Sequence, residues 1–155
     1  MTRILLVCLG NICRSPAAEG VLRTKAMTRG VSVAVDSAGT GGWHAGDPPD
    51  ERMQAAAARR RYDLSALSAR QVVPQDFNRF DLIFAMDRSN LANLEAMAPV
   101  GGMAERRLFL GDEEVPDPYY GGEAGFEHVL DLIEAAADRL LDELVTKATG
   151  GRATD

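Results

Sequence analysis

Two cysteines and two histidines are all that the 155 residues contain. A pair of cysteines, Cys8 and Cys13, is too few for the disulfide framework of a small secreted domain. His44 and His128 lie far apart, so no metal-ligand spacing appears, and neither a metal nor another cofactor is expected. Long hydrophobic runs are missing too. The apolar run near the N-terminus is too short for a membrane span or a signal-peptide core, so no membrane insertion is expected and the expected location is cytoplasmic. An excess of positive charge is also absent. The net charge of −6 speaks against nucleic acid or an anionic membrane surface as partner. There is no internal repeat, low-complexity tract or linker. What remains, 46% hydrophobic and 26% charged residues, suits one domain with a real core.

The most informative stretch is RILLVCLGNICRSPAA, residues 3–18. Ile4 to Val7 form a continuous apolar run, as in a parallel strand covered on both faces. Gly10 and Asn11 tolerate unusual backbone angles and permit a sharp turn. Ser15 and Pro16 read as an N-cap and first helical residue. A strand, a glycine-containing loop and a helix N-terminus together form an anion site. If the loop wraps a phosphate, its amides and the planar Arg14 fork grip the equatorial oxygens. Cys8 then lies beneath the phosphorus, in a positive field that favours the nucleophilic thiolate. The bland alternative is a buried structural cysteine before a helix cap.

Further along, a helix is expected over 16–27, ended by Gly30, and a strand over 31–36. This β-loop-α-β order predicts a right-handed parallel crossover. Residues 39–49, GTGGWHAGDPP, form a loop, in which Trp43 either packs on the core or walls a substrate cleft. Helices are expected over 50–61 and, as a short piece, within 65–73. A strand containing LIFAM follows in 80–86, then a helix capped by Asp87, which as a second acid near the site is the less favoured reading. A shorter strand is expected over 107–110. The acidic loop 111–122 contains Asp117-Pro118-Tyr119-Tyr120; alone, Asp-Pro is simply a turn. In parallel α/β sheets, however, loops at strand C-terminal ends meet over the ligand crevice, and Cys8 and Asp117 both follow strands. Phe126, Val129, Leu130, Ile133, Ala137, Leu140, Leu141 and Leu144 mark an amphipathic helix over 126–147. The domain is expected to span 1–148, with a disordered polar tail over 149–155.

VCLGNICRSPAAE resembles the signature of the low-molecular-weight protein tyrosine phosphatases, in their bacterial form. The segments around SAGT, GGWHAG, AMDRSN and DPYYGG extend the likeness over nearly the whole chain. The resemblance implies a single-domain three-layer α/β sandwich: a four-stranded parallel sheet, helices on both faces, and an N-terminal phosphate-binding loop. It implies phosphotyrosine hydrolysis through a phosphocysteine at Cys8, with Arg14 on the phosphate and Asp117 as general acid and base, without metal. The phosphate-binding loop would comprise Leu9, Gly10, Asn11, Ile12, Cys13 and Ser15. Ser15 would stabilise the thiolate and Ser37 would support Asn11. Trp43, Tyr119 and Tyr120 would form the pocket rim. The expected partner is a phosphotyrosyl protein such as a bacterial tyrosine kinase. Cys13 is either a plain loop residue or, as in the family, the disulfide partner of the nucleophile. Tyr119 and Tyr120 match positions phosphorylated in some relatives.

Three other readings use the same fold. Arsenate reductases relay oxidation through later cysteines, but none follows Cys13 here. Protein-arginine phosphatases resemble this loop but carry threonine at the position of Ile12. A non-catalytic phosphate-binding module would keep the loop alone.

Overall fold

The computed structural model describes residues 1–119 and 121–154, without the side chains of 148–154. Strands β1 (Thr2–Cys8), β2 (Val33–Gly39), β3 (Leu82–Ala85) and β4 (Glu105–Leu108) form one sheet in the order β2-β1-β3-β4. All pairings are parallel. The helices are α1 (Arg14–Arg29), α2 (Glu51–Arg59), α3 (Asp76–Arg79), α4 (Arg88–Met97) and α5 (Glu123–Thr154).

Alternation along β1 builds two cores. Ile4, Leu6 and Cys8 pack with residues of α1, α2 and α5, while Leu5 and Val7 pack with Phe77 of α3 and Leu94 of α4. The sandwich therefore has helices on both faces, as expected. β1 and β3 are interior strands, which explains the unbroken apolar runs Ile4 to Val7 and Leu82 to Ala85. The C-terminal ends of β1 and β2 meet where Cys8 pairs with Gly39. A Cβ on Gly39 would stand 2.7 Å from the Leu9 carbonyl oxygen, so only glycine lets the loop after β1 lie against β2.

Several expected boundaries shift. Helix α1 starts at Arg14 with Cys13 as its cap residue, so Ser15 is inside the first turn and is not the N-cap. Its hydroxyl is engaged by Cys8 and Asn11 instead of by a helix N–H. Gly30 does end α1, in the left-handed conformation. β2 begins later than expected, at Val33. Residues 65–73 form no helix. Their backbone N–H groups serve tertiary bonds: Ala69 donates to Asp47, Arg70 to the Asn11 side chain, and Val72 to Gly39. The short helix comes afterwards, as α3. β4 is Glu105–Leu108, displaced toward the N-terminus of the expected 107–110. Asp50 caps α2, and Asp87 caps α4 as expected. α5 begins at Glu123 and extends to Thr154. The disordered tail expected over 149–155, with a domain end at 148, lies outside the fully described residues. Among the described residues, no helix is long and apolar enough to cross a membrane.

Candidate active site

Cys8 ends β1 and is buried. Its sulfur lies 3.0 Å from Ser15 Oγ and accepts the Asn11 backbone N–H at 3.3 Å. Asn11 has φ 58°, a left-handed conformation that asparagine tolerates better than most residues. Its side chain is fixed at both ends. Oδ1 accepts the Arg70 backbone N–H at 3.0 Å, while Nδ2 donates to Ser15 Oγ at 2.8 Å and to Ser37 Oγ at 3.0 Å. Ser15 accepts from Asn11, and its own hydroxyl proton is available to the Cys8 sulfur. The Ser37 hydroxyl donates to Glu19 Oε1 at 2.6 Å. This buried chain of polar groups locks the turn.

Arg14 is almost wholly buried at the start of α1. Its Nη1 donates to Asp87 Oδ2 at 2.7 Å and to the Val115 carbonyl at 3.0 Å. Its Nη2 stands 3.8 Å from Asp117 Oδ2. Burial opposes the charge of Arg14, but the Cys8 sulfur and the carboxylates of Asp87 and Asp117 outweigh it, so the guanidinium remains protonated. Asp117 is half-exposed, and its Oδ1 accepts the Tyr119 N–H at 3.0 Å, a turn that fixes the carboxylate on its loop.

These groups line one cleft of about 230 Å³. Cys8, Leu9, Gly10, Ile12, Cys13 and Arg14 come from the β1–α1 region, Trp43 and His44 from the loop after β2, and Asp117 and Tyr119 from the loop after β4. Asn11, Ser15 and Ser37 stand behind that lining. Trp43 is 73% exposed, which excludes the core role that its sequence left open. Tyr120 lies outside the described residues. Cys13 is buried and free. Burial pushes its thiol strongly up, the carboxylate of Asp50 adds to this, and Cys8 and Asp117 contribute further, while Arg52 opposes them. Cys13 is thus a neutral thiol.

Sequence reasoning underrated three contributors. Asp87 caps α4 and also holds Arg14; its place after an interior strand was the available signal. His44 lines the cleft beside Trp43, and its Nδ1 lies 3.2 Å from Asp47 Oδ2. Arg70 supports Asn11 through a backbone N–H, which leaves no trace in side-chain identity.

Known proteins resemble this chain over nearly its whole length. A low molecular weight protein-tyrosine-phosphatase of Streptomyces coelicolor is 43% identical over 162 aligned positions, covering 97% of this chain and 98% of its own. A crystal structure of a protein tyrosine phosphatase from Entamoeba histolytica superposes with a TM-score of 0.90 at 38% identity, covering 96% of this chain and 99% of that one. A drosophila arginine phosphatase structure gives a TM-score of 0.86 at 35% identity, covering 93% and 98%. The model of the family described as low molecular weight phosphotyrosine protein phosphatase matches residues 3–149. On this match over nearly its whole length, the chain belongs to the low molecular weight phosphotyrosine protein phosphatase family.

Proposed function

We propose that this enzyme hydrolyses phosphotyrosine in cytoplasmic protein substrates, such as a bacterial tyrosine kinase, through a covalent phosphocysteine. The observation that carries the reading is the convergence of Cys8, Arg14 and Asp117 on one cleft. The Cys8 thiolate attacks phosphorus, the S–P bond forms and the bond to the phenolic oxygen breaks. Asp117 gives its proton to that oxygen, and tyrosine leaves. Arg14, oriented by Asp87 and Val115, directs its remaining N–H groups at the equatorial oxygens as they gain charge. Ser15 stabilises the sulfur as the leaving group of the second step. A water then attacks phosphorus, Asp117 takes its proton, and phosphate departs with return of the thiolate. The positive field of Arg14 and the α1 N-terminus takes the part that a metal plays elsewhere.

The phosphoarginine reading is favoured by the drosophila neighbour's printed activity. Against it, the apolar Ile12 lines this cleft and suits an aryl ring better than a guanidinium group. The deciding experiment measures initial rates on a phosphotyrosyl peptide and on phosphoarginine, without added metal, with Cys8→Ser as blank. Turnover of the tyrosine ester that vanishes in the variant supports the proposal. Preference for phosphoarginine reverses the Ile12 argument. Phosphate binding without turnover of either substrate moves the chain to the binding-module or thiol-redox class.

A further inference from the structure

A second groove, of about 380 Å³, adjoins the catalytic cleft. Leu9 and Trp43 line both, so these two side chains form the ridge between them. Across the groove stand Asn93, Ala96 and Met97 of α4. We propose that this groove receives an uncharged, apolar side chain from the substrate polypeptide, next in sequence to the phosphotyrosine. The inference rests on the phosphotyrosine reading above and extends it to substrate selection.

Three observations carry it. The ridge is apolar and open: Trp43 is 73% and Leu9 43% exposed, apolar area that no part of the described chain covers. The ridge is also built rather than loose. A Cβ on Gly41 would stand 1.7 Å from the Trp43 ring, so the indole packs closely on the bare Gly41 backbone and a side chain there would displace it. Gln71 then pins this loop by donating to the Thr40 carbonyl at 3.1 Å. Finally, the lining changes character across the ridge. The catalytic cleft contains Arg14 and Asp117, whereas among the described residues no charged one lines the groove. A polypeptide with its phosphotyrosine beside Cys8 must cross this ridge or turn away from it. Crossing it buries an apolar side chain against Leu9, Trp43 and Met97, while a carboxylate there would lose water and meet only the neutral Thr40, Gln71 and Asn93, with no cation to balance its charge.

The test compares phosphotyrosyl peptides carrying leucine or aspartate at each neighbouring position in turn, with para-nitrophenyl phosphate as a substrate too small to reach the groove. The expected result is a kcat/KM preference for leucine of about tenfold, about 1.4 kcal/mol, at one position. Ala96 is exposed on α4, so Ala96→Arg retains the helix while placing a cation in the groove. In that variant the leucine preference disappears and aspartate becomes the better residue, a reversal that general destabilisation would not produce. Equal use of both peptides by the wild-type enzyme, or an unchanged preference in Ala96→Arg, overturns the inference alone. Failure to hydrolyse either the peptides or para-nitrophenyl phosphate overturns the phosphatase reading and this inference with it.

Discussion

Arg14 and Asp87 meet at 2.7 Å, and the second carboxylate oxygen of Asp87 accepts the Asn90 N–H, also at 2.7 Å. One aspartate thus closes α4 and orients the guanidinium at the cleft. Asparagine has one acceptor oxygen, so it keeps the helix cap but turns an NH2 donor toward Arg14, whereas alanine removes cap, acceptor and charge together. Asp87→Asn is expected to melt between wild type and Asp87→Ala, with loss of the cap alone worth about 1 kcal/mol. Both variants are expected to lose about tenfold or more in kcat/KM. Melting curves beside steady-state rates check this; a destabilised Asp87→Ala with wild-type kcat/KM would reduce Asp87 to a cap.

Asp117 faces the cleft from the loop after β4. If it protonates the leaving oxygen, Asp117→Ala slows phosphotyrosine hydrolysis by about 100-fold or more. Esters of more acidic phenols need less protonation and suffer less. A series of aryl phosphates gives the dependence directly. An equal loss across the series would assign the proton to another group.

Arg70 positions Asn11 without touching the cleft. Its guanidinium bonds Asp36 at 3.0 Å and Asp76 at 3.0 and 3.1 Å, and these contacts fix the backbone N–H that holds Asn11 Oδ1. Arg70→Ala is expected to lower kcat several-fold at saturating substrate, and Arg70→Lys to recover part of the loss. A variant that loses melting temperature but keeps kcat would leave Arg70 a purely structural residue.

Cys13 lines the same cleft as Cys8, as a protonated thiol. If Cys13 protects the nucleophile, as the family resemblance implies, peroxide converts Cys8 to a sulfenic acid and Cys13, on giving up its proton, displaces water from it to form a disulfide. Dithiothreitol is then expected to restore most activity in the wild type and much less in Cys13→Ser. Equal recovery in the two proteins would remove this role from Cys13.

Asp50 gives the acid dependence of α2. Its backbone N–H holds the Ile12 carbonyl at 2.7 Å, while its carboxylate caps α2 and pairs with Arg52 at 3.0 Å. Burial alone would raise its pKa, but the Arg52 side chain and the Arg52 and Met53 N–H groups outweigh burial and hold it below the ordinary 3.8. A depressed carboxyl stabilises the fold fully above its unfolded pKa, and that stability is lost as pH falls through the folded pKa. Urea midpoints of wild type and Asp50→Asn are therefore expected to converge below pH 3.8. A constant gap down to pH 2.5 would place the acid sensitivity elsewhere.

The chemistry of the first loop was legible in the sequence because it is local. Cys8, Gly10, Asn11 and Arg14 follow one another in a single strand-loop-helix unit. The continuous apolar runs of β1 and β3 and the β-loop-α-β order indicated the parallel sheet, since a strand covered on both faces needs apolar residues at successive positions. Ser15 misled as an N-cap because its residue type suits a cap whatever its surroundings. The short helix expected within 65–73 failed for a related reason: local propensity says nothing about N–H groups claimed by Asn11, Asp47 and Gly39.

By itself, the sequence determined the order of strands and helices, the anion-binding turn and the residue types able to attack and protonate. The tertiary structure alone decided that Asp87 holds Arg14, that Arg70 holds Asn11, that Trp43 stands in solvent and that the ridge borders a second groove. Those relationships join residues distant along the chain, and such contacts exist only once the sheet has brought its strand ends to one edge. Local preference can select each residue's conformation, but which remote group it meets is fixed by packing.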